Sequence, residues 1–496
     1  MLGTWQSHDA YIRNVVSELS FYSAISQYFV YQHENIISKL YILNLDTLKP
    51  IIAPLYSVTG RPSNYQPEMF RTFIVMNDLK KPIDLWSETL RLNPILRIIC
   101  GFPSDYIPST ASFYDFMNRL YRLDDRPRVK KKKRKPKKKI GKNVKLPHKK
   151  DGITDALVKQ ILKGRRFNNR PDLTLQTIFA EIAVKRSLDL GLISNTLDVS
   201  GDGTCILTGG SSYGVKVCKC NEKGIYNCKC PRKFCDPDAS WGWDSSKEQW
   251  FFGYSGYFLS TYNPDLKCDL PLYLRLLEAK RHDSISAVIT LAEFRDLYPN
   301  LTIENFMSDS ASDNYATYEL LYQWNINPII ALNSINKRGN FKNLPEIQIS
   351  DNGIPICPAG HNMCHWGLCG SRHRIKWRCP RALDKVDASP QCKTCSNSNY
   401  GRTFYTKPED DLRLFTKVPR GSQQWKDLMK KRTSAERIND RILNDYGIEN
   451  SKTKGKKRIS FMVTIASINI HLDAQLAKMK SDNSFSFENV FGLKAA

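Results

Sequence analysis

The sequence lacks any run of 18 or more consecutive apolar residues, so it predicts no membrane span. Its opening residues, MLGTWQSHDAYIRN, are mixed in character and do not resemble a secretory leader. Acidic residues are scarce against basic ones, 49 to 74, which leaves a formal net charge of +25. That imbalance argues against a charge-balanced metabolic enzyme and calls for an acidic partner, most simply nucleic acid. No aromatic pair stands in a recognisable RNA-recognition motif, which weighs against an RNA-binding protein stabilised by zinc. The 14 cysteines are too few for a disulfide scaffold of 496 residues, and they are clustered. Clustered cysteines without a leader predict a reducing, intracellular setting, where thiols serve as metal ligands more often than as disulfides.

What is present divides the chain. With 41% hydrophobic and 25% charged residues it reads as globular, with room for two to four domains. Residues 1–125 predict helices, over Pro67–Asn77, Pro82–Leu90, Ile95–Cys100 and a segment after Thr110. In the last, Phe113, Phe116, Met117 and Leu120 recur at helical spacing. Such short helices suit a helix-turn-helix module or an ordinary bundle. Residues 126–150 form a basic linker: fifteen of them are Lys or Arg, Lys131, Lys132, Lys133, Arg134 and Lys135 among them, and none is acidic. Such a block is expected to be extended and to hold phosphate backbone without reading sequence; the bland alternative is a solvated linker. Residues 151–480 read as α/β, opening with two helices, the second over Leu173–Leu190, and residues 481–496 as a tail.

Three acidic residues stand in settings of interest. Leu197–Thr204 predicts a strand that delivers Asp202 into a glycine-bracketed turn. Strands follow over Trp250–Leu259, Leu272–Glu278 and Ile303–Met307, the last ending at Ser308-Asp309. A helix begins after Asp313, and Pro328–Leu332 is a further strand. In the helix around Ala435–Ile442, Ile438, Ile442 and Tyr446 form one apolar stripe. Glu436 lies off it, with Arg432 and Asp440 on its own side. A closing helix over Phe461–Leu476 can cover the sheet. Two carboxylates at strand ends and one on a helix can share two Mg²⁺ or Mn²⁺ ions. Each also has an ordinary reading: Asp202 as a turn residue, Asp309 or better Asp313 as a helix cap, Glu436 as a solvated helix residue.

The segments SGDGT with Asp202, FMSDSASDN with Asp309 and KRTSAERINDRIL with Glu436 resemble, in order and context, those of insertion-sequence transposases of the DDE class. DPDASWGWD followed by FFGYSGYFL, and GRPSNYQPEMFRTFIV nearer the N-terminus, are similar to further segments of that family. The resemblance runs from about residue 55 to 475. It implies an RNase H-like mixed sheet flanked by helices, with an N-terminal all-helical DNA-binding domain. It also implies Mg²⁺-dependent cleavage of element ends, followed by strand transfer into target DNA. Asp202, Asp309 and Glu436 would be catalytic and hold the metal. Arg432, Arg437 and Arg441 would contact phosphate, with Asn439 orienting them. LEAKRHDSISA resembles a segment after the family's third strand, where His282 approaches DNA, or where a surface role or capping by Asp283 is the reading. The implied partners are double-stranded DNA, as terminal inverted repeats and target, and a second copy of the chain.

Two cysteine groups interrupt this pattern. Residues 340–415 hold Cys357, His361, Cys364, His365, Cys369, His373, Cys379, Cys392 and Cys395, and Cys392-Lys-Thr-Cys395 has the spacing of a zinc knuckle. The expected structural Zn²⁺ set is Cys357, Cys379, Cys392 and Cys395, with Cys364 or Cys369 as substitutes, folding an insertion with little core of its own. The loop 218–235 holds Cys218, Cys220, Cys228, Cys230 and Cys235, for which metal and ordinary reduced thiols are equally good readings. Two rivals to the transposase reading remain: an inactive, transposase-derived DNA-binding protein, and a nuclease without strand transfer.

Overall fold

The computed structural model describes residues 1–25, 27–121, 129–130, 152–167, 170–333 and 347–492. Lys131, Lys132, Lys133, Arg134 and Lys135 lie outside the described residues. Six strands build the main sheet: β1 (Thr196–Leu207), β2 (Ser240–Asp244), β3 (Gln249–Asn263), β4 (Cys268–Glu278), β5 (Thr302–Ser308) and β6 (Asn327–Ile330). β1 to β4 are joined through antiparallel pairings around β3, whereas β5 runs parallel to β1 and β6 parallel to β5. β2 and β4 share one edge of β3, beside Gln249–Gly253 and Tyr254–Asn263 respectively. The protein is thus α/β, with a mixed, mostly antiparallel sheet flanked by helices.

The two faces of the sheet follow from the two-residue repeat of a strand. Tyr254, Phe258, Leu274 and Leu276 join Ile438, Ile442, Ile459 and Val463 in one apolar cluster. Their neighbours Tyr257, Leu259 and Tyr273 pack in another with Ala287, Leu291 and Phe294 of α1 (Asp283–Leu297). Both faces being covered, β4 reads as a near-continuous buried run. α2 (Tyr315–Gln323) connects β5 to β6. α3 (Thr433–Asp440) and α4 (Lys456–Ser481) cover the first face. α4 is long and apolar enough to cross a membrane by length and composition, and 89% of its most apolar window is buried inside the protein.

The N-terminal helices, including Gln66–Asp78, Ile83–Leu92, Pro94–Cys100 and Thr110–Leu120, share a buried core with the sheet. α4 is the common element. Phe461 meets Phe73 edge-on at 4.6 Å, and the Asn469 amide donates to the Ile74 carbonyl at 3.2 Å and to Asn77 Oδ1 at 3.0 Å. The expected Leu173–Leu190 helix is interrupted by a π-helical stretch, Ala180–Lys185. There Gln475 of α4 donates to the Ala183 carbonyl (3.1 Å) and the Ser187 hydroxyl (3.0 Å). His471 lies between Ser187 Oγ (2.8 Å) and the Pro271 carbonyl (2.7 Å). Burial lowers its pKa to about 4, so it is a neutral bridge from helix to sheet.

Asp313 is not the helix cap expected of it. Asn314 caps α2 through its side chain, accepting from the Thr317 amide. Asp313 instead receives two bonds from the Arg413 guanidinium, at 2.8 and 2.7 Å, both side chains being buried. This pair ties the 347–415 insertion to the sheet. The insertion also has a core of its own, built on Cys357, Met363, Ile375, Trp377, Leu414 and Phe415, contrary to the expectation of little core there.

Candidate active site

Asp202 lies within β1, which continues to Leu207, and not in a turn. The glycines beside it serve close packing. A Cβ at Gly201 would stand 2.6 Å from the Tyr257 hydroxyl and 2.8 Å from the Phe306 ring; one at Gly203 would stand 2.5 Å from the Asp283 carboxylate. The parallel pairing of β1 with β5 ends at Gly201 opposite Ser308. Asp202 and Asp309 are therefore each the residue after this last parallel pair, Asp202 still within β1 and Asp309 just past the end of β5. Asp309 turns its carboxylate to the Ala311 amide (3.1 Å), capping the short turn Ser310–Ser312.

α3 is held over this point by polar contacts to the sheet. Ser200 Oγ donates to the Lys431 carbonyl (2.9 Å), and Lys431 Nζ meets Asp198 at 2.5 Å. Ser260 and Ser434 hydroxyls meet at 3.1 Å. Ile438, Ile442 and Tyr446 are buried, as the stripe predicted, leaving Glu436 on the open side. Asn439 donates to Asp202 Oδ2 at 2.9 Å instead of orienting the arginines.

The electrostatics join these residues. Burial first, then the charges of Asp309, Asp283 and Glu436, push Asp202 up to about 7, with Arg432 opposing. Asp283 is raised too, by burial and then by Asp309, against His282. The structure thus places Asp309 and Glu436, together with Asp283, within electrostatic reach of Asp202. Arg432 binds Glu436 at 2.7 Å. The carboxylate oxygens are not drawn into a tight cage. Among the described residues, the metal-ligating side chains whose ligand atoms all lie within 4.8 Å of one another are four cysteines. Burial and like charge both disfavour the ionised form of Asp202, with the Asn439 amide and Arg432 as its favourable neighbours.

A consequence for stability follows. Because Asp202 titrates near 7 in the folded chain and near 3.8 when unfolded, its contribution is full below pH 4 and is lost as pH rises through 7. Without metal, Asp202→Asn should melt at a higher temperature than the parent at pH 8, and the gap should shrink towards pH 5. Thermal melts at the two pH values check this; a gap that does not change with pH refutes the coupling.

The three arginines differ. Arg432 faces the carboxylates. Arg437 spans Asp269 with bonds of 2.5 and 2.8 Å, and Arg441 bonds Asp473 of α4 at 2.9 Å. These two are engaged with the protein's own acids. His282 caps α1, accepting from the Ser284 amide, while Asp283 faces the site. Sequence reasoning took Asp283 as a cap beside His282, whereas His282 is the cap. The signal was there, an acid at the first position of a helix following the third strand of the core, but it needs the sheet order to acquire meaning. Asp236 and Asp244 of the DPDASWGWD segment are structural. Asp236 accepts from the Tyr254 hydroxyl, the Thr208 hydroxyl (2.6 Å) and the Gly455 amide (3.0 Å), while Asp244 accepts from Ser246 and Lys247 in a turn.

The cysteine groups also differ. Cys218, Cys220, Cys228 and Cys230 converge, so this group could hold a metal ion. A hydrogen bond from the Cys220 amide and others from the neighbouring thiols pull Cys218 down to about 7, while Cys220 is pushed up to about 12 beside it. In the insertion, Cys357 and Cys379 lie close enough to raise the Cys395 thiol, after burial. Cys392 instead contacts Ser389 at 3.4 Å. The insertion's three-stranded sheet carries stacked cations: Arg378 lies 3.5 Å from the Tyr400 ring centroid and 4.1 Å from that of Trp366.

No family model matches the chain, and no curated protein matches it.

Proposed function

We propose that this chain is a DNA transposase of the DDE class, with an RNase H-like core, that cleaves the ends of its element and joins them to target DNA. The observation that carries the reading is Asp202, which sits just past the last parallel pair of β1 with β5 and is raised to about 7 by burial and then by Asp309, Asp283 and Glu436. Asp202, Asp309 and Glu436 would hold Mg²⁺ or Mn²⁺, which when bound helps activate an attacking oxygen and stabilise a leaving one. The chain's own residues bind and orient. Asn439 fixes one oxygen of Asp202, Arg432 is placed to pass from Glu436 to a phosphate oxygen, and α3 holds both in register over the sheet. In the first step water adds to a terminal phosphodiester and the bond to the 3′ oxygen breaks, leaving a 3′-hydroxyl and a 5′-phosphate. In the second, that hydroxyl attacks a target phosphodiester, displacing a target 3′-oxygen.

The charge distribution supports DNA as the substrate. A cavity of about 870 Å³ between the N-terminal helices and the loop before α4 is lined by Lys80, Lys81, Lys452, Lys454 and Arg458, which suits a phosphate backbone. Because two ends must be processed together, the working particle on DNA is a dimer. The test is to incubate the purified chain with Mg²⁺, a target plasmid and a linear duplex carrying the sequences that flank its own gene. Nicked ends followed by joined product are expected. Broken ends that never join make it a nuclease, and no cutting overturns the enzyme reading.

A further inference from the structure

The segment between β1 and β2 poses a physical problem. No side chain of residues 207–235 is buried. Tyr213 and Tyr226 are 85% and 69% exposed, and Val215, Val217 and Ile225 are exposed as well. Apart from one short 3-10 turn, Asn221–Lys223, its regular structure consists of two-residue strands: Val215–Lys216 and Arg232–Lys233 pair antiparallel, and Val129–Lys130 adds to the other side of Arg232–Lys233. Ladders this short, without an apolar face to bury, do not hold by themselves in water. Six basic side chains, Lys216, Lys219, Lys223, Lys229, Arg232 and Lys233, crowd the same stretch against the single acid Glu222. Their repulsion opposes the fold further.

What closes this hairpin is its sulfur. Cys218 Sγ lies 3.4 Å from Cys228 Sγ, and Cys220 Sγ 3.6 Å from Cys230 Sγ, with all four within 4.8 Å of one another. The thiols are free, not bonded in disulfides. A tetrahedral zinc with bonds of about 2.3 Å places its sulfurs about 3.8 Å apart, the spacing approached here. The two Cys-x-Cys pairs come from opposite arms, so one ion would cross-link the hairpin above its two-residue ladder. Four soft donors select zinc over Mg²⁺, and a closed set of four thiolates leaves no open position for catalysis. The nearby lysines and arginines offset the charge of such a site.

We infer that Cys218, Cys220, Cys228 and Cys230 bind one structural Zn²⁺, and that this ion folds the 207–235 hairpin into the platform on which Val129–Lys130, at the start of the basic segment, is paired. The metal does for this hairpin what a hydrophobic core does elsewhere. The inference does not depend on the transposase reading, because it rests on sulfur geometry and the missing core alone.

The test uses the full chain, purified under reducing conditions without chelator. Elemental analysis should find zinc, and Cys218→Ser/Cys228→Ser should retain one equivalent per chain fewer. Cys357→Ser/Cys395→Ser should keep the zinc held by this hairpin. Cobalt exchanged into the parent should show the intense visible absorption of a tetrahedral thiolate site, lost in the first variant. Hydrogen exchange should accelerate in peptides covering 207–235 and 129–130 of that variant, while α4 stays protected, since the hairpin contributes no side chain to the core. The inference is overturned if the parent retains no zinc, if the Cys218→Ser/Cys228→Ser stoichiometry equals that of the parent, if iron occupies the site, or if peptide mapping finds the four cysteines joined as disulfides.

Discussion

Asp202→Asn is expected to reduce Mg²⁺-dependent DNA cleavage by roughly 10³-fold or more, about 4 kcal/mol of transition-state stabilisation, while leaving DNA affinity within about twofold. The substitution keeps the size of the side chain and leaves an oxygen to accept from Asn439, so α3 should stay docked on the sheet. What it removes is the one charge that Asp309, Asp283 and Glu436 all face. The basic groups proposed to hold the phosphate backbone lie elsewhere, so binding should survive. Cleavage rates set beside binding curves measured at one salt concentration decide the matter. Cutting at the parent's rate would remove Asp202 from the mechanism.

The second large effect concerns affinity. Deleting residues 131–150 removes twelve Lys and Arg while sparing the Val129–Lys130 strand. Each phosphate neutralised contributes about 0.9 to the slope of log affinity against log salt. If half of these twelve side chains engage phosphate, the slope should flatten by roughly 5, with the loss of affinity greatest at low salt. The loss should be similar on unrelated duplexes, because phosphate contacts carry no base information. Titrations at four or more salt concentrations provide the slope, and an unchanged slope would assign the basic segment no part in binding.

These two predictions draw on different kinds of information. The charge of residues 126–150 is additive and can be counted along the chain without knowing any contact. The site at Asp202 is not additive. Its carboxylate is raised by burial and then by groups 81, 107 and 234 positions away, Asp283, Asp309 and Glu436, and no pattern local to SGDGT contains them. The strands and helices that carry the three acids could be read because they declare themselves in short apolar periods, although β1 runs on past Asp202 to Leu207. Asp283 and Asn439 could not, since each becomes part of the site only through the pairing of β1 with β5 and the seating of α3.

Asp313 makes the same point from the other side. Next to a helix start it looks like a cap, and local chemistry favours that reading. Arg413, a hundred residues later, takes it instead, because a buried guanidinium must find a partner. The cysteines follow suit. A familiar Cys-x₂-Cys spacing drew attention to Cys392 and Cys395, whereas the tightest convergence is at Cys218, Cys220, Cys228 and Cys230, where two arms of a hairpin meet. Spacing along one arm does not report what the opposite arm contributes.

From the sequence alone come the surplus of positive charge, its concentration between residues 126 and 150, the α/β alternation after residue 190 and the apolar stripe that turns Glu436 outward. All of these are sums or periods over neighbouring residues. Only the tertiary structure decided which acids act on Asp202, which arginines are held by the protein's own carboxylates, and which four sulfurs meet. Those outcomes depend on distances between residues far apart in the chain, and such distances are set by the packing of the sheet and its helices.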